Sequence, residues 1–210
     1  MYTPTAFKLT DEQAIREIVR NYGFATLITG RDSGPEAAHI PLLWSDNHLI
    51  GHLARGNEFF KDGQRALAIF SGPHAYVSPT WYESAPAVPT WNYIAVHISG
   101  TLYEESTEAA SAGLAALVSQ YEHNSAGYSY EVLPAVYRER MQKGIRAFRL
   151  QIDRVEAKAK LSQNHSPERI RRVVEHLEAH ELVETHRRTD VPRDSGEDHR
   201  ARLQCAACPT

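Results

Sequence analysis

The chain has 210 residues, of which 42% are hydrophobic and 23% charged, so it is neither a wholly disordered nor a fibrous protein. Its formal net charge of −3 excludes a protein that coats nucleic acid through its overall charge. No stretch approaches the ~20 apolar residues of a membrane-spanning helix, and the first residues lack the pattern of a signal peptide. We therefore expect no membrane association and a cytoplasmic location.

The first predicted element is a helix that begins near residue 10. Thr10 is placed to cap it, and Gln13 is placed to return the reciprocal hydrogen bond. Apolar side chains then recur at helical spacing up to Tyr22, and Gly23 follows as a stop signal. The β-branched and apolar residues 24–29 predict a strand, which leads into a turn at residues 32–35.

Short, closely spaced strands dominate the segment that follows. Runs of apolar and aromatic residues predict strands at residues 38–44, 48–54, 66–71, 74–78 and 91–103. Gly100 lies inside the last of these and predicts a bulge or bend. Strands separated by such tight turns are typical of an antiparallel barrel or sandwich, so the predicted fold class is mainly β.

The chain changes character after residue 105. Helices are predicted at residues 106–121 and 134–143, and the alternation of apolar and polar residues over 147–155 predicts a half-buried strand. Another helix begins at Ser166, which is followed by a proline suited to the first helical position. Residues 186–210 contain no aromatic residue and are rich in polar ones. This composition predicts a poorly ordered tail after a domain that spans residues 1–185.

Two patterns near the C-terminus have the spacing of metal ligands but lack other requirements. His176 and His180 share a helical face, yet the zincin pattern needs Glu directly after the first histidine, where this chain has Leu177. Cys205 and Cys208 lie in the predicted tail, where too few further ligands are near. We therefore predict no metal site. Gly-rich nucleotide motifs and the Gly-x-Ser-x-Gly elbow are also absent.

One predicted strand ends in residues that could bind a phosphate. Arg55 offers a fork of donors, Gly56 allows close approach of the backbone, and Asn57 adds another donor. An arginine after a strand is also common on ordinary surfaces. The pattern is therefore compatible with a phosphate site and with a plain surface turn.

Two further segments are compatible with ligand binding. Lys160, Ser162 and Gln163 could bind the polar edge of a ligand, or could simply mark a strand exit before the Ser166 cap. Residues 70–82 and 89–93 combine Tyr, Trp, His and Pro at strand ends, which suits a planar aromatic cofactor or a dimer interface. An aromatic core is the competing interpretation of this second pattern.

Taken in order, these segments resemble the PaiB-type FMN-binding negative transcriptional regulators, which are relatives of the pyridoxamine-phosphate oxidase-like split barrels. The resemblance covers about residues 1–185. It rests on Thr3-Pro4 with Phe7 and on residues 23–29 (GFATLIT), 39–42 (HIPL), 51–57 (GHLARGN), 72–82 (GPHAYVSPTWY), 89–93 (PTWNY) and 160–164 (KLSQN).

The resemblance implies a mainly β (α+β) fold, a split β-barrel that forms a homodimer and holds FMN at the subunit interface. It implies that residues 39–42 and 52–57 bind the phosphate, with Arg55 as the main ligand, and that Ser162 and Gln163 reach the flavin edge from the other subunit. The implied cofactor-binding residues are His39, Ile40, Pro41, His52, Leu53, Ala54, Arg55, Asn57, Asn92, Lys160, Ser162 and Gln163.

The chain departs from the related oxidases at one position. Where those enzymes carry two adjacent basic residues, this chain has Arg55 followed by Gly56. The loss of one cation is expected to weaken phosphate binding by about 1 kcal/mol or more.

Several functions are compatible with this resemblance. The first is an FMN-binding regulator, and the second is a flavin-dependent oxidoreductase that passes electrons from a reduced nicotinamide to a small acceptor. Direct DNA binding is a third, weakly supported hypothesis, because no helix-turn-helix pattern precedes the helix at Ser166. Haem handling is compatible with the histidine content, although no histidine is singled out as an axial ligand. We predict no specific catalytic residue.

Overall fold

Eight strands, four α-helices and three short 3-10 helices make up the regular structure of the described residues. The computed structural model describes residues 1–82, 86–122 and 128–189. The strands are β1 (Lys8–Leu9), β2 (Phe24–Arg31), β3 (Gly34–Pro41), β4 (Leu43–Ser45), β5 (His48–Ala54), β6 (Arg65–Val77), β7 (Thr90–Glu104) and β8 (Ile145–Lys160). The helices are α1 (Glu12–Asn21), α2 (Thr107–Glu122), α3 (Ala135–Lys143) and α4 (Pro167–Thr189).

The strands form one antiparallel sheet that curls on itself. Its order is β3-β2-β6-β7-β8-β5-β4, with β1 pairing on β8. The first and last strands in this order, β3 and β4, are joined by the single residue Leu42. Strand β3 also contacts β5. A sheet whose first and last strands are consecutive in the chain must bring its edges together, so it forms a barrel. The predicted fold class, a mainly β barrel with peripheral helices, is confirmed.

Alternating side chains fill the interior of the barrel. Along β2 and β5 every second residue is buried, as expected when one face of a strand points inward. Helix α1 adds Ile15 and Val19 to the same core. Fully buried members include Leu27, Phe70 and Leu150. The alternation therefore defines an outer face of the barrel, opposite the core.

Some predicted elements have different boundaries in the structure. Asp11, rather than Thr10, caps α1, because its carboxylate accepts hydrogen bonds from the backbone N–H of Gln13 (3.0 Å) and Ala14 (3.4 Å). The predicted strand 38–44 is two strands, β3 and β4, interrupted where the barrel closes. The predicted strand 147–155 is longer, and β8 runs through Lys160, so the polar segment 158–164 lies partly inside a strand rather than after it.

Two β-bulges interrupt the regular pairing. The predicted irregularity at Gly100 is confirmed, since the β7–β8 register shifts between Ser99 and Gly100. A Cβ on Gly100 would lie 2.0 Å from the carbonyl oxygen of Gln151, so no other residue fits without movement of the backbone. The predicted strands 66–71 and 74–78 are one strand, β6, whose register shifts between Ser71 and His74.

The chain divides into two compact units, of which the barrel comprises residues 1–77 and 89–165. In the second unit, Ser166 caps α4, as predicted, with its Oγ 3.4 Å from the backbone nitrogen of Arg169. The indole of Trp81 stacks on the imidazole of His176, with ring centroids 5.1 Å apart. No described helix is long and apolar enough to cross a membrane.

The predicted tail starts at residue 186, whereas α4 continues to Thr189. Residues 190–210, including Cys205 and Cys208, lie outside the described residues, so the tail and the domain boundary stay predictions.

Candidate functional site

The first group of candidate residues lies where β3 approaches β5. Leu43 pairs with Ile50, and the same register continued past Leu42 sets Pro41 opposite His52. The contact between β3 and β5 agrees with this continuation. Two segments that the sequence analysis assigned to one phosphate site are therefore neighbours in the barrel.

His52 carries a polar atom that lacks a partner within the described part of the chain. Its neighbours Gly51 and Leu53 are buried in the barrel, so the imidazole faces outward. Its Nδ1 is nevertheless buried and makes no hydrogen bond to any described residue. Burial lowers the pKa of His52, because desolvation disfavours the imidazolium. Burial thus favours the neutral ring, which keeps an unused hydrogen-bonding nitrogen.

Arg55 is fixed to the end of a helix that is distant in the sequence. Its Nε donates to the carbonyl of Lys143 (2.8 Å), and its backbone N–H donates to the carbonyl of Gly144 (2.9 Å). The guanidinium therefore lies at the negative end of α3, where a cation is favourable. Among the described residues, its two terminal nitrogens make no further hydrogen bond. They are the donors that remain for an anion.

Asn57 shapes the turn after β5. Its backbone N–H donates to the carbonyl of Ala54 (2.9 Å), and its side-chain oxygen accepts from the N–H of Phe59 (2.9 Å). The side-chain oxygen is therefore engaged locally, and the amide NH₂ is the part of Asn57 left for a ligand.

A cavity of about 230 Å³ lies beside Arg55, between the barrel and helices α2 and α3. Lys143 lines it as well, which places a second cation near Arg55. Glu104 and Glu105 also line the cavity, but each pairs with an arginine of β8, at 3.5 Å and 3.0 Å respectively. Glu139 is the third carboxylate in its lining. Lys143 is not among the residues predicted from the sequence; its position in the last turn of the predicted helix 134–143 is the signal that could have indicated it.

His39 lies on the outer face of β3. Its Nδ1 is 3.1 Å from the hydroxyl of Thr26, and its ring stacks on Phe24, which is 68% exposed. Ile40, the next residue, belongs to the core. The His39 ring can therefore contact a ligand on this face, whereas the Ile40 side chain packs in the barrel interior.

The second group of candidate residues lies at the far end of β8. Asn92 and Ser162 are buried, and the Ser162 hydroxyl donates to the Asn92 side-chain oxygen (3.1 Å). Ser162 has a φ of +67°, an uncommon conformation for a residue other than glycine. The Lys160 amine donates to the carbonyl of Trp91 (2.8 Å) and to the Thr90 hydroxyl. These bonds hold together the ends of β7 and β8.

Gln163 completes this second group. Its side-chain oxygen accepts from the backbone N–H of Leu161 (2.6 Å), and its NH₂ donates to the carbonyl of Ala159. The side chain is exposed, so a ligand could approach it from solvent.

The two groups lie far apart within one chain. Ala54 pairs with Ile145 at the start of β8, whereas Lys160 is the last residue of that strand. Strand β8 is 16 residues long, which corresponds to about 50 Å of extended chain. The structure thus brings together residues 39–41 with 52–57, and Asn92 with residues 160–163, but not the two sets.

The aromatic segment is not a core cluster. Phe70 and Tyr82 are buried, but Tyr76 and Trp91 are 47% and 54% exposed. Their rings meet edge to face, with centroids 5.8 Å apart. The aromatic-core interpretation of residues 70–82 and 89–93 is therefore wrong for Tyr76 and Trp91.

Comparisons with known proteins extend these observations. The model of the family described as "Putative FMN-binding domain" matches residues 1–154. A Bacillus subtilis protein named "Protease synthase and sporulation protein PAI 2" is 34% identical over 189 residues, covering 86% of this chain and 91% of that protein. An uncharacterized Saccharomyces cerevisiae protein is 37% identical over 82 residues, which cover 33% of this chain and 48% of that protein.

Solved structures share the fold at low sequence identity. An FAD- and haem-binding protein from Mycobacterium smegmatis superposes with a TM-score of 0.60 at 18% identity, covering 73% of each chain. The flavocytochrome Anf3 from Azotobacter vinelandii has a TM-score of 0.57 at 15% identity, covering 73% of this chain and 69% of that one. These similarities support the fold and nothing finer.

Proposed function

We propose that this chain, which belongs to the FMN-binding domain family, is a flavoprotein of the PaiB type that works as a homodimer. Its family membership confirms both the resemblance found in the sequence and FMN as the cofactor. The dimer, the residues that bind the flavin and the regulatory role are our proposals.

The residues at the end of β5 fit a flavin phosphate. The carrying observation is that His52 buries an unpartnered Nδ1 on the outer face of the strand that ends in Arg55. The terminal nitrogens of Arg55 can bind a phosphate with two parallel bonds, and Lys143 supplies a second cation where the related oxidases use an adjacent residue. Lys143 would thereby offset part of the loss of phosphate affinity that is expected from Gly56 in place of a second basic residue.

The geometry of β8 supports a site shared between two subunits. A flavin that contacts Arg55 cannot also contact Gln163 of the same chain, because the two residues lie at opposite ends of the strand. A second copy of the chain supplies the missing group. Each dimer then has two equivalent sites, as two-fold symmetry requires.

The chain's own residues bind and orient the cofactor. Arg55 binds the phosphate while the carbonyl of Lys143 fixes its direction. Neutral His52 offers a hydrogen bond without adding charge. Gln163 of the other subunit meets the flavin edge. When bound, a flavin supplies electron or hydride transfer.

We propose that regulation by this protein does not use direct contact with DNA. Helices α2 and α3 are separated by residues 123–134 and α4 follows β8, so no two described helices form a helix-turn-helix. In α4, Arg171 and Arg172 pair with glutamates four residues away, at 2.6 Å and 2.7 Å, which offsets the basic character of this helix. Fluorescence anisotropy of a labelled duplex at low salt should show no rise at micromolar protein; a rise that salt abolishes would contradict the proposal.

A second candidate function is that of a flavin-dependent oxidoreductase. The exposed Tyr76–Trp91 pair favours it, because an oxidoreductase needs a place for a second reactant. Anaerobic addition of NADH or NADPH to the flavin-loaded protein should bleach the flavin absorbance if this function is real. A spectrum that does not change removes it.

Heterodimers test the shared site directly. Arg55→Ala and Gln163→Ala chains carrying different tags are co-expressed, and the mixed dimer is purified. If each site uses Arg55 of one subunit and Gln163 of the other, one of its two sites is intact and binds FMN with wild-type affinity. If both residues served one site within a chain, both sites would be damaged and no tight binding would be restored.

A further inference from the structure

Strand β6 carries apolar side chains on both of its faces. Five consecutive residues before the bulge are apolar, and of these Ala66, Ala68 and Phe70 fill the core. Leu67 and Ile69 lie on the opposite, outer face and are only partly buried. A strand with one face in water alternates apolar with polar residues, whereas a continuous apolar run is typical of a strand covered on both faces. The outer face of β6 is therefore suited to contact with another apolar surface.

The neighbouring strand β2 extends this apolar surface. Ile28 pairs with Leu67, and Thr26 pairs with Ile69, so the side chains of each pair lie on the same face of the sheet. Phe24, two residues before Thr26, also points outward and is exposed. We term the four apolar side chains of this surface, Phe24, Ile28, Leu67 and Ile69, the β2–β6 face.

Strand β8 shows that the barrel does not require such a surface. Its residues Phe148 and Leu150 lie in the core, and the polar Arg149, Gln151 and Asp153 alternate with them on the outer face. This is the pattern expected of a barrel strand whose outer face meets water. The apolar outer residues of β2 and β6 therefore call for a separate explanation.

The β2–β6 face lies between the two groups of candidate flavin residues. On one side, β3 pairs with β2, and His39 of the first group is opposite Thr26. On the other side, β7 pairs with β6, and Asn92 of the second group lies at the beginning of β7. The strand order β3-β2-β6-β7 thus places the face on the path across the sheet from one group to the other.

This position matters in a two-fold symmetric dimer. A two-fold axis that lies in the face, midway between the two groups, exchanges the first group of one chain with the second group of its copy. Two chains that pack through the β2–β6 face therefore set Arg55 of each chain on the same side of the contact as Gln163 of the other. This is the arrangement that the proposed shared site requires, and it occurs twice in each dimer.

The area of the face is compatible with the centre of a dimer contact. Four strands spaced about 4.8 Å apart, over residues 24–30 of β2 and their neighbours, cover about 400 Å². A stable protein–protein contact buries about 800 Å² per partner. The two groups of flavin residues at the margins would supply the remaining area, as expected when a site is shared between subunits.

We propose that a second copy of the chain packs on the β2–β6 face, which forms the centre of the homodimer interface. The inference rests on the proposed shared flavin site and adds the surface through which the two subunits meet. Removing Phe24, Leu67 and Ile69 from water on both chains would provide the hydrophobic free energy of association. The charged and polar residues of the flavin site then form the rim of the contact.

Light scattering and isothermal titration with FMN test the proposal. At micromolar protein with excess FMN, the wild type should have twice the 23.6 kDa mass of the chain. Ile69→Lys places a charge in the middle of the face, so this variant should have the mass of one chain. It should also bind FMN at least tenfold more weakly, although no residue proposed to bind the flavin has changed. Val174→Lys is the matched control, because Val174 is 45% exposed on α4 and lies outside the face, and it should change neither quantity.

A milder variant keeps the test decisive if Ile69→Lys does not fold. Ile69→Thr retains a β-branched side chain suited to a strand. Because the contact contains this residue twice, the dissociation constant of the dimer, measured by dilution, should rise about tenfold. An unchanged dissociation constant would contradict the proposal.

Further outcomes separate this proposal from the shared site. If Ile69→Lys folds and keeps the dimer mass, the β2–β6 face is not the interface and the proposal is wrong, whereas the shared site stands. If Ile69→Lys is monomeric yet binds FMN as tightly as the wild type, the interface is supported and the shared site is wrong. If the wild type itself has the mass of one chain, the homodimer and its interface are both wrong.

Discussion

Replacing Arg55 with alanine should weaken FMN binding strongly while leaving the barrel folded. The guanidinium is exposed and contributes nothing to the core, so its removal leaves no cavity. It makes one side-chain hydrogen bond, from Nε to the carbonyl of Lys143. Its terminal nitrogens are the part that would bind the phosphate.

The expected magnitude follows from these two roles. Loss of charge-assisted bonds to a phosphate costs about 1.5–3 kcal/mol, which corresponds to an affinity about 10- to 150-fold weaker. Loss of the cation at the end of α3 lowers the free energy of unfolding by about 1 kcal/mol. Arg55→Lys keeps the charge but not the fork geometry, so it should fall between wild type and alanine.

Isothermal titration with FMN measures the affinity, and urea unfolding measures the stability. Arg20→Ala is the matched control, because Arg20 is an exposed arginine in the last turn of α1 and is not one of the residues proposed to bind the phosphate. It should reproduce the small loss of stability without the loss of affinity. If Arg55→Ala binds FMN as tightly as wild type, Arg55 is only a helix cap and the assignment of the phosphate site is wrong.

Three further predictions concern pH and stability. Because burial lowers the pKa of His52 below its usual 6.5, unfolding free energy should fall as pH drops below about 6.5, and urea titrations should show a smaller fall in His52→Gln. Gly100→Ala should lower the free energy of unfolding by about 3 kcal/mol, while Gly30→Ala, which has open space around it, should change it by less than about 1 kcal/mol in the same assay. Asn92→Ala and Ser162→Ala should each cost about 1–3 kcal/mol, and the double variant less than their sum; additive losses would mean that their buried bond carries no energy.

Local sequence patterns predicted much of the barrel. Residues 48–54 were predicted as a strand with the bounds that β5 has, because alternation and turn residues on both sides define it. The break at Leu42 could not be predicted this way. Leu42 is apolar between apolar residues, and its interruption of the strand depends on barrel closure, which is a contact between the two ends of the sheet.

The β6 bulge illustrates a different limit. Gly72-Pro73 is a sequence pattern that also marks turns, so two strands were predicted where there is one. A bulge differs from a turn here because Gly72 packs against Ile94 of the neighbouring strand. A Cβ on Gly72 would lie 3.1 Å from the Ile94 side chain. Such a contact requires knowledge of which strands pair.

The same distinction between local and distant contacts applies to the candidate site. The fork of Arg55 and the turn at Asn57 follow from residues that are adjacent in sequence. The anchor of Arg55 is the carbonyl of Lys143, 88 residues away, and no local pattern connects the two. Likewise, the separation of Arg55 from Gln163 depends on β8 being a single long strand, whereas the alternation of apolar and polar residues predicts a strand that ends at residue 155.

The two halves of the proposed flavin site should therefore respond differently to mutation. In the half around Arg55, donors remain unused within the described chain, so substitutions there should act on affinity. In the half around Ser162, the polar side chains already bond to one another and to the backbone, so the fold itself has ordered them before a ligand arrives. Substitutions of the buried Asn92 and Ser162 should act first on stability and only through it on binding, whereas substitution of the exposed Gln163 should act on binding itself. A shared site built in this way joins a charged half that attracts the phosphate to a preformed half that positions the ring.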